Sequence, residues 1–385
     1  VGAGKCGSSS LQSALSLRPV FASFDASARY EYACIVPEYT GLLRGEMLIR
    51  GAAQMSPAGY CCSSAAKRWA GDENFLARLN EDFIKMAKAN VIPILSWEEW
   101  LYDASAFADH TILRRLGLSA KIVVFVRPQV PWINSAWWQW GAWSGQEFDD
   151  WLEIWAKEVT LWADLIRSWQ SVPGVRTVEV YAATRDVVAA FFRSIGAPAP
   201  DVEVSNKSLD ADLVRFFQRN REFRPNEHAS EIDFVLQRCL APSPKETPWV
   251  IPWTKVAELT EYFRPSNEDL LSLVSPSERA FIENDPQWWD AEAYRHREVA
   301  SPTPPVPTIE EVEDLARRAL RAVVSLEERV RMLQPCAGPN GSAQCALPAL
   351  RQELAAAQAS VDLLETKLAA KRMRWPWIKR MNSAA

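Results

Sequence analysis

The chain has 385 residues, enough for one large domain with an appendage or for two domains. Hydrophobic residues make up 48% of it, which supplies a full core. The formal net charge of −5 speaks against general nucleic-acid binding. No apolar run reaches the roughly 18 residues of a membrane-crossing helix. Cys6, Cys34, Cys61, Cys62, Cys239, Cys336 and Cys345 are scattered, an odd set without metal-ligand spacing, as in a reducing compartment. Cys61-Cys62 reads as two buried thiols; Cys336 and Cys345 flank a Gly/Pro/Asn turn and could pair under oxidation. No signal peptide is evident, and without an initiator methionine the sequence is expected to lack its natural start.

The richest stretch comes first: Val1-Gly2-Ala3-Gly4-Lys5-Cys6-Gly7-Ser8-Ser9-Ser10-Leu11-Gln12. Glycines let the backbone turn tightly, so amides converge on one anion. Lys5 adds a cation, and Ser8, Ser9 and Ser10 add hydroxyls. The apolar spacing of Leu11, Ala14 and Leu15 predicts a helix over 11–17, whose first N–H groups favour phosphate. The plainer reading is a Gly/Ser-rich tail without a ligand. A nucleoside-triphosphatase loop needs Gly-x4-Gly-Lys-Ser/Thr. Here Cys6 follows Gly4-Lys5, and the first glycine is misplaced. A phosphate loop follows a strand, and that strand is expected ahead of Val1.

Arg18 to Met55 shows no clear period, and Ser56 to Ser64 is turn-rich. Phe75, Leu79, Phe83 and Met86 predict a helix over 74–89. Residues 90–96 form a short apolar run, a buried parallel strand, followed by a helix from Trp97 with Ser96 as its cap. Residues 120–127 are the clearest strand, a β-branched run ending in Arg127; a helix begins near Trp132 or Ile133. Trp151, Trp155, Trp162 and Trp169 predict a helix over 148–169 and a place in the core. A strand over 175–181 and a helix over 185–195, stopped by Gly196, complete the alternation. The expected class is α/β, with a parallel sheet.

Arg127 ends a strand, and Ser135 lies in the first turns of the next helix, so both sit at the ligand-binding edge of such a sheet. An arginine fork and a serine hydroxyl suit a phosphate. The order Lys5-Cys6-Gly7-Ser8-Ser9-Ser10 resembles the 5′-phosphosulfate loop of sulfotransferases that use 3′-phosphoadenosine 5′-phosphosulfate (PAPS). The spacing Arg127-x7-Ser135 resembles their 3′-phosphate motif. Ser96-Trp97-Glu98, Asn206-Lys207-Ser208-Leu209 and Phe263-Arg264-Pro265-Ser266-Asn267-Glu268 resemble weaker segments of the bacterial, carbohydrate-modifying members, the last as a motif before a final helix. The resemblance covers Val1 to Tyr294. Cys6 and the serines depart from the Gly-Thr-Thr form common in that family.

The resemblance implies a three-layer, parallel-sheet, P-loop-like domain and sulfuryl transfer from PAPS to a carbohydrate or glycolipid hydroxyl, with no metal. Lys5 would neutralise the bridging oxygen, with Cys6 to Ser10 around the 5′-phosphosulfate and Arg127 and Ser135 on the 3′-phosphate. The acceptor hydroxyl needs a base. Glu98 sits just past a strand end, with Glu99 able to exchange roles; His110, Asp25 and Glu31 are further candidates. Trp137, Trp138, Trp140 and Trp143 follow the second motif, and one or two of them are candidates for an acceptor cleft.

The domain occupies 1–298, a proline-rich linker 299–308 and a helical hairpin 309–375. Val312, Ala316, Ala319, Val323, Leu326, Val330 and Leu333 form one coiled-coil-like seam; Leu350, Leu354, Ala357, Val361, Leu364 and Leu368 form the other. The arms are expected to close on each other or to join subunits. The basic, aromatic stretch Lys371 to Arg380, with a tail over 376–385, suits an anionic membrane surface or plain solvent. A cytoplasmic site, including the inner face of the membrane, is the expectation. Two other readings are a P-loop kinase and a non-catalytic nucleotide-fold scaffold with a coiled-coil arm.

Overall fold

A computed structural model describes residues 3–333 apart from 40, 57, 184, 185, 201–208, 242, 244 and 302. Asn206 to Ser208, Cys336, Cys345, the second hairpin arm and the basic tail lie outside the described residues. The fold is mixed α/β, and the chain divides into two units. The first comprises Val1–Ser208, Asn220–Ser230 and Thr247–Pro302; the second comprises Leu209–Arg219, Glu231–Glu246 and the chain from Thr303 onward.

The first unit holds the strands β1 (Val20–Ala22), β2 (Arg29–Ile35), β3 (Leu42–Arg44), β4 (Val91–Ile94), β5 (Ala120–Val126) and β6 (Val175–Ala182). β1 and β3 pair antiparallel with β2, and β4 pairs parallel with it. β5 and β6 form a separate parallel pair, in register from Lys121↔Thr177 to Val126↔Ala182. Ile122, Val124, Phe125 and Val126 are buried, so β5 is covered on both faces, as its continuous apolar run requires. Among the described residues the named strands pair in parallel at β2–β4 and β5–β6, with one isolated parallel bridge between Trp249 and Val299; the unpatterned stretch before Met55 supplies the antiparallel strands.

Helix Glu73–Lys88 follows its sequence pattern. The Asp72 side chain caps it by accepting from the Phe75 amide at 2.9 Å. Phe75, Leu79, Phe83 and Met86 form one buried stripe against β4, and Lys85 and Lys88 suit its C-terminal dipole. Helix Ser8–Leu17 starts three residues earlier than its apolar spacing predicts, because Gly7 turns left-handed and lets the helix begin at Ser8. It packs on helix Val187–Ser194.

Three predicted helices come out differently. The stretch predicted as one helix over 148–169 is broken into helix Phe148–Trp151, a π-turn Leu152–Ala156, a 3₁₀ turn Glu158–Thr160 and helix Trp162–Gln170. Residues three and four apart share a face in all of these, so the tryptophan spacing did not reveal the breaks. After β4 comes only a 3₁₀ turn, Glu98–Tyr102, and Ser96 does not cap it; its Oγ accepts from Gln12 Nε2 at 3.1 Å. Phe263 to Glu268 lies inside helix Trp253–Leu271, with Pro265 exposed, rather than ahead of a final helix.

Tryptophans fill the core and use their N–H groups. Trp132, Trp162 and Trp169 are fully buried; Trp169 Nε1 donates to the Trp100 carbonyl at 3.0 Å and Trp162 Nε1 to the Arg127 carbonyl at 2.9 Å. Trp155, expected in the core, is half-buried, while Trp137, Trp138 and Trp143 are buried instead of lining a cleft. Cys61 and Cys62 are half-buried free thiols; Cys6 and Cys34 are the buried ones.

The second unit is helical: Ala211–Arg219, Glu231–Cys239 and Ile309–Leu333. Thr308 and Glu311 close a reciprocal capping box, with the Glu311 amide donating to Thr308 Oγ1 at 3.2 Å and the Thr308 amide to Glu311 Oε2 at 3.0 Å. The buried line of the long helix is Leu315, Arg318, Ala322, Leu326 and Val330. Val312, Ala316, Ala319 and Val323 of the expected seam flank it, half-buried. Arg318 donates to the Ala241 carbonyl at 2.8 Å and pairs with Asp210, which locks the helix to the two earlier segments.

Candidate functional site

The loop from Ala3 to Gly7 has an unusual backbone. Lys5 has φ 65° and Gly7 has φ 86°. A side chain in the left-handed region costs about 1–2 kcal/mol, so the surroundings must hold Lys5 there. Several groups do so. Trp132 Nε1 donates to the Gly4 carbonyl at 2.7 Å, and Arg127 Nη1 donates to the Lys5 carbonyl at 3.1 Å. The Cys6 amide turns back to the Ala3 carbonyl at 3.3 Å. Trp140 lies so close to Gly4 that a Cβ there would stand 2.8 Å from its Cη2 atom.

Helix Ser8–Leu17 begins on this loop. No side chain caps its N-terminus, and its first turn has no acidic residue. Its leading N–H groups therefore present partial positive charge where the loop turns. Lys5 Nζ donates to Gln139 Oε1 at 3.0 Å. Ser8 Oγ donates to Glu98 Oε2 at 2.8 Å, and Ser9 Oγ accepts from Tyr60 Oη at 3.1 Å. Ser10 is half-buried in the same turn.

Two strand ends meet here. Glu98 follows β4 and Arg127 follows β5, and both contact the loop. Ligands collect at such carboxyl edges of parallel strands. Ser135 is half-buried on helix Gln129–Ala136, between Trp132 and Gln139 in the chain, which both bond the loop. Lys5, Cys6, Gly7, Ser8, Glu98 and Arg127 are thus brought together.

The other proposed bases are not. His110 is exposed at the end of helix Ala104–Asp109, and no contact among the described residues ties it to the loop. Asp25 is exposed in the turn between β1 and β2, where Ser23, Ser27 and the Ser27 amide hold it. Glu31 is buried in β2 and paired with Arg44 at 3.1 Å.

Burial dominates the electrostatics. It pushes the Cys6 thiol up to about 12, against the pull of Arg127, so Cys6 is a neutral, apolar part of the loop. It draws the Arg127 guanidinium below its ordinary value. Burial first, and then the neighbouring Glu98, raise the Glu99 carboxyl. Burial first, and then Cys6, Glu98 and Glu99, raise the Tyr102 hydroxyl.

Sequence reasoning missed Trp132, Gln139 and Tyr60 as parts of this site, and named Trp140 only among candidates for an acceptor cleft, not as a neighbour of Gly4. One local signal was present: Gln139 is a lone amide inside the aromatic run Trp137-Trp138-Gln139-Trp140. No protein-family model, no curated protein and no solved structure matches the chain.

Proposed function

We propose that this chain is a sulfotransferase of the PAPS-dependent kind, built on a three-layer, P-loop-like α/β domain. The observation that carries the reading is the bond from Arg127 to the Lys5 carbonyl. It joins the two phosphate motifs, which are 122 residues apart in the chain. The donor set fits a nucleotide phosphorylated at both ends: an uncapped helix N-terminus, Lys5, three serine hydroxyls and a buried guanidinium. The close approach of Trp140 to Gly4 leaves that backbone no room for a side chain, as a cradle requires.

When bound, PAPS supplies the sulfuryl group and a nucleotide leaving group. Lys5 and the amides and hydroxyls of Gly7 to Ser10 hold the 5′ end; Arg127 and Ser135 hold the 3′-phosphate. Catalysis of this kind rests on positioning and charge stabilisation. Lys5 must leave Gln139 to serve the ligand, and Ser8 must leave Glu98, so each has a resting partner. Glu98, released from Ser8, is the base that takes the acceptor proton, with Glu99 beside it. The acceptor is a carbohydrate or glycolipid hydroxyl. Trp140 and Trp155, half-buried with ring centroids 5.7 Å apart, offer it aromatic surface.

Calorimetry tests the reading. 3′-Phosphoadenosine 5′-phosphate is expected to bind without magnesium and better than ATP with magnesium. Arg127→Ala is expected to weaken it about 10- to 100-fold, the worth of a charge-assisted hydrogen bond. No binding, or equal binding by the variant, overturns the proposal. In transfer assays over carbohydrate acceptors, Glu98→Gln is expected to lose about 10²–10⁴ in rate while still binding nucleotide. Full activity in that variant removes Glu98 as the base.

A further inference from the structure

Two hydrogen bonds in the candidate site each join a group on the nucleotide side to a group on the acceptor side. Lys5 Nζ donates to Gln139 Oε1 at 3.0 Å, and Ser8 Oγ donates to Glu98 Oε2 at 2.8 Å. Ser9 is placed differently. Its Oγ accepts from Tyr60 Oη at 3.1 Å, so its own hydrogen can turn to a phosphate without breaking that bond.

The acceptor-side groups converge. A Cβ built on Gly4 would stand 2.8 Å from Trp140 Cη2 and 3.5 Å from Glu98 Oε2, so the aromatic wall and the carboxylate meet over one point of the loop. Gln139 precedes Trp140 in the π-turn Trp137–Gly141, and both side chains are half-buried. Such turns are rare and concentrate at functional sites. The backbone of this one is pinned. The Gln139 carbonyl accepts from Arg224 Nη2 at 2.5 Å, and Arg224, fully buried, lays its guanidinium over the Trp143 ring, 4.6 Å from the centroid. The Gln139 side chain can therefore turn about its own bonds while its backbone stays in place.

We propose that these two bonds couple the nucleotide to the acceptor, and that Gln139 is the residue that recognises an acceptor hydroxyl; the inference rests on the sulfotransferase reading. A charged oxygen is a stronger acceptor than an amide, so the 5′-phosphosulfate draws Lys5 off Gln139. The same group takes the Ser8 hydroxyl at the helix N-terminus and leaves Glu98 without it. One binding event thus releases both acceptor-side groups. Glu98 is then ready for the acceptor proton. The Gln139 amide offers one acceptor and two donors beside an aromatic ring, which suits a hydroxyl-bearing ring with an apolar face. An acceptor arriving alone must break the same two bonds itself. Nucleotide and acceptor therefore tighten each other, by the same factor in both directions.

Calorimetry of the full chain with 3′-phosphoadenosine 5′-phosphate tests the coupling before any acceptor is known. Gln139→Met keeps the length of the side chain but cannot hold Lys5. It is expected to bind the nucleotide about 3- to 10-fold more tightly than wild type, the worth of one resting hydrogen bond. Gln139→Glu holds Lys5 by an ion pair and is expected to bind it more weakly than wild type. A merely structural role would weaken both variants. Carboxyl labelling with a carbodiimide and glycine ethyl ester, read by peptide mass spectrometry, follows the second bond. The nucleotide is expected to raise labelling of Glu98 severalfold and to leave Glu31, buried and paired with Arg44, unchanged. If the nucleotide binds wild type but Gln139→Met does not tighten it, or if Glu98 labelling stays the same, the coupling is overturned and the sulfotransferase reading stands. No binding to wild type removes both. With a carbohydrate that the wild type sulfates, Gln139→Met is expected to raise the acceptor KM about tenfold. An unchanged KM removes Gln139 as the acceptor contact.

Discussion

Gly7 is the joint between the anion loop and its helix, and replacing it separates two costs that usually come together. Gly7 has φ 86°, so alanine there takes on about 1–2 kcal/mol of left-handed strain. The new Cβ would also stand 2.7 Å from Val187 Cγ2, closer than any real contact, and overpacking of this kind costs about 1–3 kcal/mol. Gly7→Ala is therefore expected to destabilise the first unit by about 2–5 kcal/mol. Val187→Ala takes away the two methyls but keeps its own Cβ, 3.0 Å from the new one, so it relieves part of the second cost. In that background Gly7→Ala is expected to cost less than in the wild type but still at least about 1 kcal/mol, with a coupling of up to about 3 kcal/mol. Urea unfolding followed by tryptophan fluorescence reads this unit, since every tryptophan except Trp375 and Trp377 lies in it. An equal cost in both backgrounds would refute the contact with Val187. A cost under about 0.5 kcal/mol in either would refute the left-handed turn.

Further outcomes follow from individual side chains. Asp72→Ala removes the cap of helix Glu73–Lys88 and is expected to cost about 1 kcal/mol in the same assay, with Asp72→Ser recovering most of it. Cys6, neutral and buried, is expected to stay unmodified by iodoacetamide at pH 8 in the folded protein, whereas urea exposes it; rapid labelling of Cys6 seen by peptide mass spectrometry contradicts its placement. Asp25 is held down to about 2 by Ser23 first and then Ser27. A depressed carboxyl stabilises the fold above its unfolded pKa, and the effect is lost as pH falls towards 2. The small stability gap between wild type and Asp25→Asn is therefore expected at neutral pH and to close in acid; a gap independent of pH contradicts the turn geometry.

The legible parts of the fold were those whose burial is one-sided or complete. Helix Glu73–Lys88 carries a single stripe, and β5 is a β-branched run, so period alone located both within two residues. β2 begins half-exposed and ends fully buried, which destroys any period of two, and its partners β1 and β3 are only three residues long. In the site, Lys5, Arg127 and Glu98 were legible because each stands at a strand end or turn with a charge that needs a reason. The contacts of Trp132 and Gln139 with the loop were not, since they span 128 or more residues of chain, and the lone amide of Gln139 in its aromatic run does not say what it bonds. Spacing located the arginine, but only the folded chain shows that its guanidinium also fixes the loop backbone.

The interleaving of the two units has a consequence for synthesis on the ribosome. Leu213, Val214 and Phe217 are buried, and Asp210, beside them in the chain, is paired with Arg318. More than a hundred residues separate those two partners in the chain. At about 5–20 residues per second, Asp210 waits roughly 5–20 s for Arg318 of the long helix that completes its unit. The intervening chain returns to the first unit twice in that interval, at Asn220–Ser230 and at Thr247–Pro302. A polypeptide released before the long helix emerges therefore leaves Asp210 without Arg318 and this unit without its longest helix. Nascent chains stalled near residue 300 are the ones expected to recruit chaperones.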